Sequence, residues 1–473
     1  MRSGVWACWK ATVGMDRSAS QARERDSMAR FGYALLWFIA TPFIALYLLW
    51  RARRQPAYRR GWRERFCARY GPRPSGTLVW IHAVSVGETR AAGPLVAALR
   101  SSHPGLVVLL THMTPTGREA AIDLFGDSVL HAYLAYDYPH AVRRFFLHWQ
   151  PALGIVMETE IWPNLMAAAE RAGVPMVLAN ARLSQKSLAG ALRWKALIRP
   201  ALLRFARVLA QTDGDAARFA LLAGVDASAA IVRVGNIKFD IEVNAVQRAL
   251  AARFREWLVP QDGATRRAVL LAASTREGEE ALLLDAFCRR QTESTHDDTS
   301  AQRVIDFLLV IVPRHPQRVD EVARLVAARG LTMQRRSESV AIASGTQVWL
   351  GDSMGEMLAY YAAADLAYVG GSLVPLGGQN LIEACALGCP VLVGPHTFNF
   401  ADATDDAVAA GAARRVADAD ALMHTAATLL ADEAARAAMA EAGSRFVAAH
   451  RGATVRTVVI VGALLRERAT TLQ

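Results

Sequence analysis

Cysteine is scarce and scattered. The five cysteines, Cys8, Cys67, Cys288, Cys385 and Cys389, form no C-x-x-C pair. That argues against a disulfide framework or a zinc ribbon and fits a reduced, cytosolic chain. Cys385 and Cys389 stand four apart in an apolar stretch and read as small buried hydrophobes on one helix edge. There is no Walker loop ending in Gly-Lys-Ser/Thr and no H-E-x-x-H pair. No D-x-D pair has a context suited to a diphosphate-bound metal, and the adjacent Asp405 and Asp406 lack it too. Metal-independent chemistry with no resident cofactor is the expectation. Short-period repeats are absent as well. Acidic residues are the minority charge, 43 against 54 Lys and Arg, so the formal charge is +11. Such an excess suits anionic partners: nucleic acid, acidic lipid headgroups or phosphorylated substrates.

What the chain does have is length and apolar content. Its 473 residues are too many for one ordinary core, so two domains are expected. At 53% hydrophobic and 21% charged residues it is globular. One run, Phe31 to Trp50, carries no charge. It is just long enough for a helix to cross a bilayer of about 30 Å. Trp37, Tyr47 and Trp50 suit a membrane interface, and Pro42 is tolerated in lipid.

Directly after the run come Arg51, Arg53, Arg54, Arg59, Arg60, Arg63, Arg65, Arg69 and Arg73, against the single acid Glu64. This neck should stay cytoplasmic and attract anionic lipid. It lies against an apolar anchor rather than among base-stacking aromatics, which favours lipid over nucleic acid. A signal anchor with the body inside the cell follows, since no small-residue cleavage site is seen. A full span and a shallow in-plane anchor fit the run equally. Met28 reads as the biological start, with 1–27 a poorly ordered extension and 28–50 the anchor helix.

From about Leu78, short apolar runs alternate with helical stretches. LVWIH (78–82), LVVLLT (106–111), LGIVM (153–157), VPMVLAN (174–180) and VLAQT (208–212) read as buried parallel strands. A second series follows Asp240: AVLLAAS (268–274), DFLLVIVP (306–313), TQVWLG (346–351), DLAYVGG (365–371) and PVLVGP (390–395). The polar stretch 291–303 reads as a surface insertion. Two α/β domains are expected, 51–240 and 241–473. In such sheets ligands bind beyond the carboxyl ends of the strands, so the chemistry should follow the strands directly.

IHAVSVGETRA follows the first strand, with Ser85 and Gly87 in a turn and Glu88 opening a helix. Glu88 fits two roles equally: a base for an acceptor hydroxyl, or an acid favoured by the helix dipole. In VMETEIWPNL, Glu158 and Glu160 follow an apolar strand, and alternation sends them to opposite faces. Glu158 is the better placed, ending the run directly; each also fits a solvated loop. VGNIKFD has Gly235 and Asn236 for a turn and Lys238 to reach an anion, or simply to meet solvent.

In the second half, AASTREGEE opens a helix after a strand, VPRHPQR sets Arg314 and His315 after another, and GDSMGEM is a compact turn. GGSLVPLGGQNLIEACALGCPVLVGPHTFNF is the richest segment. Its glycines permit close backbone approach, and a helix N-terminus after them suits phosphate. Asn380 and Glu383 are read into that helix's first turn, within reach of a ribose.

Taken in order, HAVSVGE, THMTPTGR, METEIWPN, NARLSQKS, GNIKFD, ASTREGEE, PRHPQR, GDSMGEM, GGSLVPLGGQN and GPHTFNF resemble the 3-deoxy-D-manno-octulosonic acid (Kdo) transferases of lipopolysaccharide synthesis, glycosyltransferase family 30. The resemblance covers nearly everything from Phe31. It implies a GT-B fold: two Rossmann-like domains facing a cleft, an acceptor-binding first half and a CMP-sugar-binding second half, with the last helix crossing back. The implied donor is CMP-Kdo and the implied acceptor lipid IVA. The implied reaction is an inverting transfer at the cytoplasmic face of the inner membrane. Carried over, Glu88 is the general base, and Glu158 and Lys238 stabilise the transition state. Pro313, Arg314, Met354, Gly355, Glu356, Asn380, Leu381, Ile382 and Glu383 line the CMP site. Another nucleotide-sugar transferase, or a membrane-tethered sugar-nucleotide binder without turnover, is the alternative.

Overall fold

The computed structural model describes residues 3–66, 69–224, 230–259, 263, 265–296 and 306–471. The chain divides into two compact units, Met1–Asp240 with Gly452–Gln473, and Ile241–Arg451. Each is built on a seven-stranded, all-parallel sheet.

The first sheet holds β1 (Leu78–His82), β2 (Val107–His112), β3 (Leu130–Tyr133), β4 (Leu153–Met157), β5 (Met176–Ala181), β6 (Arg207–Ala210) and β7 (Ile231–Arg233). Their order is β3-β2-β1-β4-β5-β6-β7. Crossover connections carry helices to both faces, and the central strands are buried on both sides. Successive residues alternate between two cores. Leu78, Trp80, Leu109 and Val156 pack on one face, while Val79, Ile81, Leu110 and Ile155 pack on the other.

The first core is roofed in part by the long N-terminal helix Ser3–Arg54, through Trp37, Ile44, Leu48 and Ala52. The second is covered by the last helix, Ala453–Thr471, through Ala453, Val458, Val461 and Leu464. Asp240 clamps that last helix. Its two carboxylate oxygens accept the backbone N–H of Gly452 and of Thr454, both at 2.6 Å. This is a long-range version of an N-cap. Asp240→Ala is expected to weaken the helix by about 1–2 kcal/mol. The readout is faster amide exchange over 453–471; unchanged exchange there means the clamp is unimportant.

The N-terminal helix starts far upstream of the 28–50 segment read from the sequence. No proline precedes Pro42, and a nucleated helix propagates cheaply through Ala, Arg, Gln and Ser. Nor does it stand away from the first unit. Asp26 pairs with Arg204 at 2.6 Å, and the Trp37 ring lies 5.5 Å from Tyr138 and 5.9 Å from Tyr136. Thr41 and Tyr138 share a hydrogen bond of 2.6 Å. The arginine neck is also partly folded in. Arg65 is 1% exposed, donates to the Met113 carbonyl and stacks over Tyr133. Glu64 accepts from Arg118 and from the Tyr133 N–H. The neck is therefore not one continuous free cationic surface. Cys67, beside it, lies outside the described residues.

The second sheet holds β8 (Ala268–Thr275), β9 (Phe307–Pro313), β10 (Met333–Arg335), β11 (Val348–Leu350), β12 (Leu366–Val369), β13 (Val391–Val393) and β14 (Ala413–Arg415). The order is β10-β11-β9-β8-β12-β13-β14. Leu270, Ala272, Leu309, Ile311, Leu366 and Tyr368 belong to one core on it. Of the 291–303 stretch, residues to His296 continue the helix Glu279–His296, and 297–303 lie outside the described residues. Cys385 and Cys389 are buried, and burial pushes the Cys385 thiol up to about 12. Only Cys385 is on the helix Ile382–Ala386; Cys389 follows the left-handed Gly388 that ends it.

Candidate active site

In the first sheet the strand order reverses between β1 and β4. The carboxyl ends of such a pair are where a doubly wound sheet binds its ligand. Ser85 caps the helix Val86–Ser102 by accepting from the Glu88 N–H. Glu88 returns the exchange, accepting from the Val84 N–H at 2.8 Å and from the Ser85 hydroxyl at 2.9 Å. This resembles a capping box shifted by one residue. The helix-acid reading and the base reading are thus compatible. The carboxyl is held at a helix start, yet it is pushed up to about 7, first by burial and then by Glu158 and Glu160, against the opposing Val84 N–H. A base with that pKa is matched to neutral pH.

The loop bearing Glu88 is supported from below. Thr114 donates to the Val84 carbonyl at 3.0 Å and accepts from the Gly117 N–H at 3.1 Å. A Cβ on Gly117 would come within 3.1 Å of that same carbonyl, so THMTPTGR needs its glycine to fit beneath HAVSVGE. His112 Nδ1 donates to the Ala83 carbonyl at 2.9 Å, and His82 Nδ1 lies 2.9 Å from Thr111 Oγ1. Both rings are fully buried, which pushes them down to about 4 and about 3 and keeps them neutral.

Glu158 follows β4 directly, with a left-handed φ of +60°. For a residue with a Cβ this costs roughly 1–2 kcal/mol. Its backbone N–H still reaches Ala179 at 2.9 Å, and its Oε1 accepts from Lys238 Nζ at 2.8 Å. Lys238 is aimed by its own loop. Gly235 turns the chain at φ +92°, Asn236 accepts from the Lys238 N–H, and Asn180 accepts from the Ile237 N–H, each at 3.0 Å. The carboxyl of Glu160 is pushed up by burial and by Glu158, against the Trp162 indole. Three acids and one lysine from three motifs, following β1, β4 and β7, therefore lie at the carboxyl edge of one sheet. Asn180, at φ +53° on the end of β5, belongs to this set; the sequence reading placed it at the head of NARLSQKS but gave it no role. Its signal was an asparagine closing an apolar run, since Asn tolerates the left-handed region.

In the second sheet the reversal falls between β8 and β12. Glu279, 0% exposed, organises it. Oε1 accepts from the Tyr368 hydroxyl (2.5 Å) and the Leu373 N–H (3.0 Å); Oε2 accepts from the Gly371 N–H (2.6 Å) and the Arg276 N–H (2.9 Å). One buried acid thus joins the ends of both strands. Sequence reading passed over it, because a second acid beside it makes the pair look like an ordinary helix start. Its neighbour Glu280 pairs with Arg318 at 2.7 Å.

Gly370 is needed for protein packing: a Cβ there would lie 2.5 Å from the Ser274 carbonyl. The GPHTFNF segment packs on the glycine loop, with the Asn399 N–H donating to Gly377 and its side chain to Leu376. Asn380 precedes the helix Ile382–Ala386 rather than sharing its first turn. It accepts from the Ile382 N–H and donates to Glu383, each at 3.1 Å. An Asx turn has taken over the start of a five-residue helix. Leu381 and Ile382 are fully buried, leaving them only backbone atoms to offer.

Pro313 is buried at the end of β9. The Arg314 N–H donates to the Thr275 carbonyl. Partial desolvation and then the neighbouring Arg276, Arg314 and Arg318 push His315 below the ordinary imidazole range. Three arginines, Arg276, Arg314 and Arg318, therefore surround a neutral His315 where β8 and β9 end, with Arg318 also paired to Glu280 and Glu321, and this cationic cluster suits an anion. Met354 is 54% exposed, Gly355 turns at φ +82°, and Glu356 accepts from Arg336 at 2.9 Å. The helix Met357–Ala363 that follows packs on Ile382–Ala386, bringing the two loops together.

A family-wide sequence profile described as 3-deoxy-D-manno-octulosonic-acid transferase (kdotransferase) matches residues 60–241. The 3-deoxy-D-manno-octulosonic acid transferase of Bordetella pertussis is 46% identical over 443 residues, covering 91% of this chain and 98% of the relative. That of Haemophilus influenzae is 37% identical, covering 91% and 97%. Among solved structures, a glycosyltransferase from Rickettsia africae superposes with a TM-score of 0.54 at 14% identity, covering 83% of this chain and 99% of that one. At that identity it speaks for the fold alone, the GT-B-like arrangement of two parallel α/β sheets expected from the sequence. Sheet order, ordered motifs and full-length identity agree: the chain belongs to the 3-deoxy-D-manno-octulosonic acid transferase family, the glycosyltransferases of lipopolysaccharide biosynthesis.

Proposed function

We propose that this protein transfers Kdo from CMP-Kdo to lipid IVA with inversion, at the cytoplasmic face of the inner membrane, with Glu88 as the base. The carrying observation is the Glu88 carboxyl, poised at about 7 beside Glu158 and Glu160. In the reaction the acceptor hydroxyl oxygen bonds to the anomeric carbon of Kdo. The bond from that carbon to the CMP phosphate oxygen breaks, and its electron pair leaves with CMP. Glu88 takes the hydroxyl proton. Glu158, fixed by its ion pair, and Lys238 steady the charge that develops. Pro313, Arg314, Met354, Gly355, Glu356, Asn380, Leu381, Ile382 and Glu383 make the CMP site, with Leu381 and Ile382 acting through the backbone. The cations around His315 support the phosphate end.

Membrane attachment is assigned to Asp26–Arg53, which is long and apolar enough to cross a bilayer, with a mean hydropathy of 1.8 over its most apolar 18 residues. Glu433–Thr470 also passes that test, but 44% of its most apolar window is buried and it has the character of a core helix.

Incubation with CMP-Kdo and lipid IVA, followed by mass analysis, should show lipid IVA heavier by whole Kdo residues; unmodified lipid IVA would refute the assignment. CMP should raise the melting temperature and UDP should not, by differential binding to the folded state. Stabilisation by UDP alone would point to another nucleotide sugar. The base must be ionised to act, so kcat/KM should rise about tenfold per pH unit below 7 and level off above it. A profile flat from pH 5 to pH 8 excludes a base of that pKa.

A further inference from the structure

The N-terminal helix docks on the first unit yet leaves most of its apolar surface uncovered. Met28 is 76% exposed, Phe31 73%, Leu36 57% and Phe43 68%. Along one edge it does not close against the neighbouring helix Lys195–Leu203, and a groove of about 980 Å³ remains. That is near the upper end of the ~300–1,000 Å³ typical of small-ligand sites. The groove exists because small residues line it: Ala29, Gly32 and Ala40 at helical spacing on one wall, Ala196 on the other. Aside from Arg193, the side chains lining it are apolar or aromatic.

We propose that this groove holds one acyl chain of an anionic phospholipid from the surrounding bilayer. The inference rests on the membrane-facing reading of Asp26–Arg53 and is independent of the sugar transferred. Two features select this occupant. The groove is continuous with the exposed apolar surface, since Met28 and Leu36 both line it and face outward. Its rim also has the make-up of a membrane interface: Trp194, 63% exposed, stands between the exposed cations Arg193 and Lys195. The aromatic suits the headgroup level, and the cations suit a lipid phosphate. A chain lying in the groove would cover apolar surface that the protein leaves open.

The test uses the full-length protein with vesicles of phosphatidylethanolamine and phosphatidylglycerol, the latter carrying a diazirine in its acyl chain. Irradiation should label residues 194–198 together with the 28–44 side of the N-terminal helix. Gly32→Leu should then fill the groove, because a Cβ at Gly32 meets nothing within 4 Å. Leucine is also the better helix former. Labelling at 194–198 should fall at least tenfold while the protein still floats with vesicles. Ala196→Phe, filling from the opposite wall, should do the same. Wild-type labelling confined to Phe31, Leu35 and Phe43, or labelling at 194–198 that both variants leave unchanged, overturns the proposal. A wild-type protein that fails to float overturns the membrane reading beneath it, and the two failures are distinguishable.

Discussion

Glu88→Gln should lower kcat by about 10²–10⁴-fold, the usual contribution of a positioned general base, and leave CMP affinity unchanged. The substitution is chosen for its geometry. Glutamine keeps one oxygen for the Val84 N–H and offers an amide to Ser85, so the two contacts that hold the loop survive. What disappears is the ability to take a proton. The rise in rate toward pH 7 should vanish with it, because that rise reports the ionisation of this carboxyl. Single-turnover transfer measured across pH is the check. A variant with the wild-type rate would remove Glu88 as base. A slow variant retaining the same pH limb would assign that limb to another group, with Glu160, also pushed up by burial, the next to test.

The second large effect concerns Glu279, where an isosteric change should be severe. Its two oxygens accept four hydrogen bonds, two apiece. In Glu279→Gln one oxygen becomes an amide that donates. Turned toward Gly371 and Arg276 it faces two backbone donors, and turned the other way it faces the Leu373 N–H beside a Tyr368 hydroxyl that can also accept, in a fully buried site. An unsatisfied buried donor costs about 1–3 kcal/mol, and the loss should be of that size. The glycine loop and Arg276 hang on this acid, so CMP affinity should also fall by more than tenfold. Thermal unfolding and CMP titration together test this. A variant with the parental melting temperature would show that the site relaxes to satisfy its donors. Such relaxation would remove Glu279 as the organiser of the strand ends.

How much of this was readable in the chain depended on burial. The five runs read as strands in the first half correspond to β1, β2, β4, β5 and β6, and the five in the second to β8, β9, β11, β12 and β13. The strands missed were β3, β7, β10 and β14, the outermost strand on each edge of each sheet. An inner strand of a parallel sheet is covered on both faces and writes itself as an unbroken apolar run. An edge strand is short and half-wet: β10 is Met-Gln-Arg with no fully buried residue, and β14 is Ala-Arg-Arg with two exposed. Nothing in such a triplet separates it from a loop. The site motifs were legible for a related reason. Apart from GNIKFD, which follows the missed β7, they sit directly after the apolar runs, where a doubly wound sheet must place its ligand.

Sequence alone therefore determined a two-part α/β chain, an apolar N-terminal segment with a basic neck, the family, and Glu88, Glu158 and Lys238 as the residues to watch. These are properties of runs, spacing and local order. Tertiary structure decided what no local pattern carries. It set Lys238 on Glu158 across 80 positions of chain, and it pushed Glu88 up by burial beside two other acids. It folded Arg65 of the neck into a core and closed the last helix onto Asp240 across 212 positions. It also laid the N-terminal helix against the first unit rather than away from it. Each depends on which surfaces are removed from water together, and burial is a property of the assembled sheet rather than of any one stretch of residues.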